Sequence, residues 1–232
     1  MEQTLRITNV LSDPTRFYIY QYITKRHSEV TVQEVADAFE IHPNVARLHL
    51  SKLEDVDMLV SETKKTGKGG RPSRLYRLSD EVVQLNFPYR DYQLLSKIAI
   101  QSFVELGPLG RDALYQTGKR FGKEIIDQDH SGHTESPHLS IEKKINIIKD
   151  ASTMLGLFPE FTYREKENKI SFKIFNCPFK EVAHHNQEEV CEMHGYFIKG
   201  MFESLFDKIE LTEEDNLIND CEACSYEVLL AT

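Results

Sequence analysis

The sequence predicts an α+β protein built in more than one part, and three observations predict it. Two short helical patterns near the N-terminus lead into a glycine-rich basic segment held between strand-like runs. A stretch from Tyr89 to Leu106 carries apolar residues at three- and four-residue spacing. From Ser140 onward, paired strand-like runs flank helical patterns and hold all four cysteines, Cys177, Cys191, Cys221 and Cys224. With 232 residues the chain can bury a real core without disulfide staples. The expected divisions are an N-terminal domain over 1–85, a helical linker and dimerisation segment over 86–139, and an α+β sensor domain over 140–232.

The first helix boundary has a visible cause. Asp13 is placed to cap free amide groups, and Pro14 in the first helical position gives up only an N–H that had no partner. Ile19, Tyr22 and Ile23 follow as a helical stripe. Thr31-Val32-Gln33-Glu34 is a capping box that opens a short helix with Val35, Ala36 and Phe39 inward. After Glu40-Ile41-His42, Pro43 opens another helix in which Ala46, Leu50 and Leu53 face the core, leaving Asn44, Arg47, Leu48 and Ser51 outward. Two short helices joined by a tight turn form the helix-turn-helix pattern, whose second helix enters a major groove. Asn44, Arg47 and Ser51 are therefore candidate DNA contacts.

Strand-like runs over 58–63 and 74–78 bracket the basic segment and complete a wing. Lys64, Lys65, Lys68, Arg71 and Arg74 are its five basic residues, with no acid among them, and its glycines permit close approach to a phosphate backbone. Arg71, beside Pro72, is the candidate for a minor-groove contact. The net charge of −9 alone argues against a nucleic-acid partner, but it is unevenly spread. Residues 1–80 carry 12 Lys and Arg against 11 Asp and Glu, so the acid lies downstream and DNA binding falls to this local basic feature.

Tyr92, Leu95, Ala99, Phe103 and Leu106, with Leu94 and Ile98 alongside, give the middle helix a wide apolar arc. Such a helix lies deep in its own domain or packs against a second copy of itself. A further helix is expected from about Leu109 to Ile126, and His130, His133 and His138 lie in a polar loop read as solvent-exposed. The N-terminus lacks an apolar leader and no run of apolar residues is long enough to span a bilayer, so a cytosolic location without membrane association is expected.

In a reducing cytosol, cysteines serve more often as ligands or redox switches than as disulfides. Strands are expected over 161–164 and 169–175, with Cys177-Pro178 at the end of the second; a helix capped by Asn186 carries Cys191 inward; and Cys221-Glu222-Ala223-Cys224 precedes the last strand. Thiolates are the soft ligands of zinc and iron-sulfur clusters, and Cys221 and Cys224 form the one Cys-x-x-Cys step. The spacing of the four selects neither metal. Four ordinary buried thiols are the plain alternative, and His194, one turn beyond Cys191, is a possible substitute ligand. No phosphate loop, nucleophile elbow or Ser/His/Asp order points to an enzyme, which leaves a dithiol redox protein as the competing class.

Asn176-Cys177-Pro178-Phe179, Val182-Ala183, Val190-Cys191-Glu192-Met193-His194 and Cys224-Ser225-Tyr226-Glu227-Val228, behind a wing with Gly70-Arg71-Pro72-Ser73, resemble the SufR-type transcriptional regulators, relatives of the ArsR/DeoR winged-helix group. The resemblance implies a homodimeric repressor on a double-stranded operator, with an iron-sulfur cluster, commonly of the 4Fe-4S type, controlling its affinity. By motif Cys177, Cys191 and Cys224 carry over as cluster ligands. Cys221 departs from the family pattern, so the fourth position falls to Cys221, His194 or a small molecule. Zinc in the same cysteine site, with an organic effector elsewhere, is the alternative.

Overall fold

The computed structural model describes residues 2–26, 28–64, 73–80, 82–83, 85, 88–129, 139–219 and 221–230. The chain divides into two compact units, residues 1–90 and 91–232. The long middle helices fall within the second unit rather than forming a body of their own.

The first unit runs α1 (Glu2–Leu11), α2 (Pro14–Arg26), β1 (Val30–Thr31), α3 (Val32–Ala38), α4 (Pro43–Glu54), β2 (Leu59–Lys64) and β3 (Ser73–Leu78). Its strands form an antiparallel sheet in the order β1-β3-β2. The caps expected from sequence are made. Asp13 Oδ1 accepts from the Arg16 amide at 3.0 Å, and Thr31 and Glu34 exchange their reciprocal bonds at 3.1 and 2.7 Å. Ile19, Ile23, Val35, Leu50, Leu53, Leu59 and Tyr76 form the core. The first helix is additional to the sequence reading, because Glu2, Gln3 and Thr4 mask it. Ile7 and Val10, three positions apart, are nevertheless buried, and Arg6 donates to the Asp55 carbonyl at 2.7 Å.

The second unit runs α5 (Tyr92–Glu105), α6 (Pro108–Asp129), α7 (Ile141–Met154), β4 (Pro159–Arg164), β5 (Lys169–Ile174), α8 (Lys180–Ala183), α9 (Gln187–Leu205), β6 (Ile209–Asp215) and β7 (Cys224–Leu230). All pairs in the sheet β4-β5-β7-β6 are antiparallel. Alternation in β5 buries Ile170, Phe172 and Ile174, and the Phe172 ring lies 5.0 Å from Tyr226 and 5.4 Å from Phe202 of α9. Helices α6 and α9 meet at glycines. A Cβ on Gly122 would stand 1.9 Å from the Phe197 carbonyl oxygen, and one on Gly200 would stand 2.0 Å from that of Lys119. Only hydrogen at these positions lets the two backbones approach so closely.

Asn186 occupies the N-cap of α9, but its side chain makes no capping bond. Charge serves the first turn instead: Glu189 is buried there and accepts from Arg111 at 2.8 Å. His130, His133 and His138 lie outside the described residues.

Candidate functional site

Two groups of residues carry chemistry, one in each unit. In the first, Pro43 opens α4 and His42 caps it, its Nδ1 accepting from the Asn44 amide at 3.2 Å. Ala46, Leu50 and Leu53 anchor the inner face at zero exposure, so the outer face is fixed in rotation. Asn44, Arg47 and Leu48 are exposed and Ser51 is half-buried. Arg47 Nη1 donates to Asn44 Oδ1 at 3.0 Å, which aligns the two side chains as a pair.

Hairpin β2–β3 follows directly, in register from Leu59 opposite Leu78 to Lys64 opposite Ser73. Its tip, with Lys65, Lys68 and Arg71, lies outside the described residues. The two basic residues at its base are held by the protein's own carboxylates. Lys64 Nζ stands 2.7 Å from both Glu29 and Glu62, and Arg74 meets Glu54 at 2.7 Å while its Nε donates to Ser61.

Sheet register assembles the second group. Ile174 pairs with Cys224 across β5 and β7, so the end of one strand and the start of the other lie together. Cys177, three residues past Ile174, therefore arrives beside Cys224. Helix α9 crosses above and brings Cys191 and His194. Cys177, Cys191, His194 and Cys224 line one cavity of about 10 Å³, with Asn216 and Tyr226 among its other walls. That volume holds about one water. All four cysteines are reduced. Cys221 is half-buried near the same end of β7, its Sγ 3.9 Å from Asp215 Oδ1, and does not line the cavity.

The cavity is electrostatically neutral in character. Burial pushes the Cys177 thiol up to about 12 and the Cys224 thiol to about 11, with the partial opposition of backbone N–H groups from Phe179 and Leu217. Burial also raises Cys191 and lowers His194 to about 4, so the imidazole is uncharged at neutral pH. His194 Nε2 has no hydrogen-bond partner among the described residues. Cys191 also belongs to the wall of an open cleft with Glu188, Glu192 and Glu213, so one thiol stands between the inner cavity and an acidic surface. Burial, with Glu192 adding to it, raises the Glu213 carboxyl, and Asn216 donates to it at 2.6 Å. Sequence reasoning missed Asn216, Glu213 and Tyr226. Only the alternation of β7 around Tyr226 carried any signal for them.

Three of the four expected thiols thus share one cavity and the fourth sits beside it. Among the described residues, however, no three His, Cys, Asp or Glu side chains are gathered tightly enough to hold one ion as they stand. The donor set nevertheless has the chemistry of a soft-metal site, with three thiols and one uncharged imidazole, His194, whose Nε2 lacks a partner among the described residues.

Residues 11–62 match the family described as helix-turn-helix domain. A protein of Archaeoglobus fulgidus described as uncharacterized is 30% identical over 112 residues, which are 46% of this chain and 46% of that protein. The chain thus spans less than half the length of this relative. A trafficking protein particle complex subunit 3 from Naegleria fowleri, solved covalently bound to palmitic acid, overlays with a TM-score of 0.39 at 15% identity, covering 60% of this chain and 97% of that one. At that TM-score the likeness carries no argument for this protein. Among the described residues no helix is long and apolar enough to cross a membrane. The N-terminal unit of this chain is a helix-turn-helix domain with a wing hairpin, the kind of domain that suggests a DNA-binding regulator.

Proposed function

We propose that the protein is a homodimeric transcriptional regulator, acting as a repressor, whose affinity for a double-stranded operator is set by a metal centre on the thiols of its C-terminal unit. The observation that carries the reading is the convergence of Cys177, Cys191, Cys224 and His194, whose Nε2 has no partner among the described residues, on one cavity. Asn44 and Arg47 serve as base-edge or phosphate contacts from α4, with Ser51 at the flank. The wing supplies Lys65, Lys68 and Arg71, with Lys64 and Arg74 at its base.

A single soft ion such as zinc suits the size of the cavity. The iron-sulfur reading, which the resemblance to SufR-type regulators implies, has its own support in Cys221, a fourth thiol beside Cys224. It requires the cavity walls to open further. Bound by Cys177, Cys191 and Cys224, either centre would supply metal–thiolate bonds tying a strand end, a helix and the start of the last strand into one body. A tenfold preference between two dimer shapes needs only about 1.4 kcal/mol of differential binding.

The test is anaerobic purification of the full chain with iron, sulfide and zinc analysis, followed by gel shift on the chain's own upstream DNA with and without metal. Bound metal that is lost in Cys177→Ser and Cys224→Ser, together with a metal-dependent shift, supports the proposal. A chain that binds its upstream DNA equally with and without metal, and takes up neither metal on reconstitution, overturns the sensing role. Failure of the wild-type chain to bind any DNA overturns the regulator reading itself.

A further inference from the structure

Leu48 stands at the centre of the outward face of α4, the second helix of the helix-turn-helix unit, and is 56% exposed. Two residues, just over half a turn, separate it from Ala46 on one side and from Leu50 on the other, and both of those lie in the core at zero exposure. The packing that fixes the helix therefore points Leu48 away from its own domain. Asn44, four residues before it, and Ser51, three residues after it, share its ridge. Exposed Arg47 and Lys52 lie on either side. Single exposed leucines are ordinary on a protein surface. This one occupies the surface with which a helix-turn-helix domain meets the floor of a major groove.

Its neighbour narrows what it meets there. Asn44 Oδ1 accepts from Arg47 Nη1 at 3.0 Å, which leaves the Nδ2 hydrogens as the group Asn44 offers to a base. Adenine is read by the carbonyl and the amine of an asparagine together, against N6 and N7. An amine alone selects an acceptor, such as O6 or N7 of guanine or O4 of thymine. Of these two bases, thymine also carries an apolar group in the major groove, its C5 methyl beside O4. A donor and a branched apolar side chain one turn apart on one ridge match that pair of features, on one thymine or on two in succession. Cytosine presents an N4 donor at this edge, which the Asn44 amine cannot accept.

We propose that α4 reads thymine in its operator, Leu48 covering the C5 methyl and the Asn44 amine donating to O4. The inference rests on the DNA-binding regulator reading above and names the base that its recognition helix selects.

Fluorescence anisotropy of the full chain, purified anaerobically, tests it on the chain's own upstream DNA prepared as two duplexes, one with thymidine and one with deoxyuridine in its place. Uracil keeps O4 and its pairing with adenine and lacks only the methyl. The wild type is expected to bind the thymidine duplex at least about fourfold more tightly, the worth of a single buried methyl. Leu48→Ala is expected to bring that ratio close to one with unchanged far-UV circular dichroism, because the side chain lies outside the core. Asn44→Ala is expected to weaken binding to both duplexes alike, since O4 is present in each. Equal binding of the two duplexes by the wild type overturns the inference and leaves the regulator reading intact, and so does a Leu48→Ala chain that keeps the wild-type ratio. Undiminished affinity in Asn44→Ala overturns the O4 contact. Failure of the wild type to bind either duplex overturns the regulator reading, and this inference with it.

Discussion

Cys177 Sγ and His194 Nδ1 lie 3.9 Å apart in the interior of the C-terminal unit, one from the end of a strand and the other from a helix packed above it. The contact joins two residues 17 positions apart and orients the imidazole so that its other nitrogen is the one lacking a partner. The edge of Phe179 against the ring, with centroids 5.1 Å apart at 90°, and Phe197 beside it leave the imidazole little freedom to turn. A buried polar atom without a partner costs stability, and His194 Nε2 carries this cost in the fold.

His194→Phe follows from that relationship as a test with two signs. In metal-free protein the substitution removes an unpaired buried nitrogen and keeps an aromatic ring, so thermal unfolding should shift by less than about 1 kcal/mol or rise. Metal affinity measured by competition with a chromophoric chelator should fall by about tenfold or more. A large destabilisation without metal, joined to unchanged affinity, would make His194 a packing residue only.

The glycines between α6 and α9 make opposite predictions within one helix. Gly122→Ala and Gly200→Ala each force a methyl against a backbone carbonyl within about 2 Å and should cost on the order of 1–3 kcal/mol or more. Gly195→Ala, also in α9, meets nothing within 4 Å and should stabilise the helix by up to about 1 kcal/mol. Thermal melts of the three variants decide it, and a Gly122→Ala protein as stable as wild type would show that the helices slide apart freely.

Much of this architecture was legible because its signals are local. Asp13-Pro14 and Thr31 to Glu34 announce their helices through capping chemistry that involves only neighbouring residues, and the alternation of Ile170, Phe172 and Ile174 announces a strand. The meeting of Cys177 with Cys224 was not legible in that way, since it depends on the antiparallel register of β5 with β7 between segments about fifty positions apart. His49 was hidden for a related reason: it lies beside the Ala46, Leu50 and Leu53 stripe, and only packing against α2 determines that its ring turns inward. The polar start of α1 concealed a helix that tertiary contacts, rather than propensity, hold in place.

Arg74 offers a test of how the wing is held in check. Its guanidinium meets both oxygens of Glu54 at 2.7 and 2.8 Å, and lies over the Tyr76 ring at 5.3 Å. Glu54→Gln should weaken this clasp and free a cation for a phosphate. Operator affinity should rise several-fold at low salt, and the slope of log affinity against log salt should steepen by about 0.9 for the added contact. Arg47→Ala should move affinity in the other direction. Fluorescence anisotropy over a salt series measures both, and an unchanged slope in Glu54→Gln would place Arg74 outside the DNA contact.

A pH dependence of stability follows from His49, at 8% exposure on the inner side of α4 with its Nδ1 lacking a partner. Burial lowers its pKa below the ordinary 6.5; the Asp13 carboxylate opposes the shift and the Arg16 guanidinium adds to it. As pH falls, the unfolded chain takes up the proton first, so the folded state loses stability from about pH 6.5 down to the folded pKa. Above pH 6.5 that contribution is fully present. Asp13 is held below the usual carboxylate range by the Arg16 amide, so its own loss begins at more acid pH. His194 contributes with the same sign from the other unit, and comparison with a variant at each pH separates the two. Wild type should therefore become less stable between pH 7 and 5 by more than His49→Leu does, measured by thermal unfolding at matched ionic strength. Identical slopes for the two proteins would mean that His49 carries its proton equally in both states.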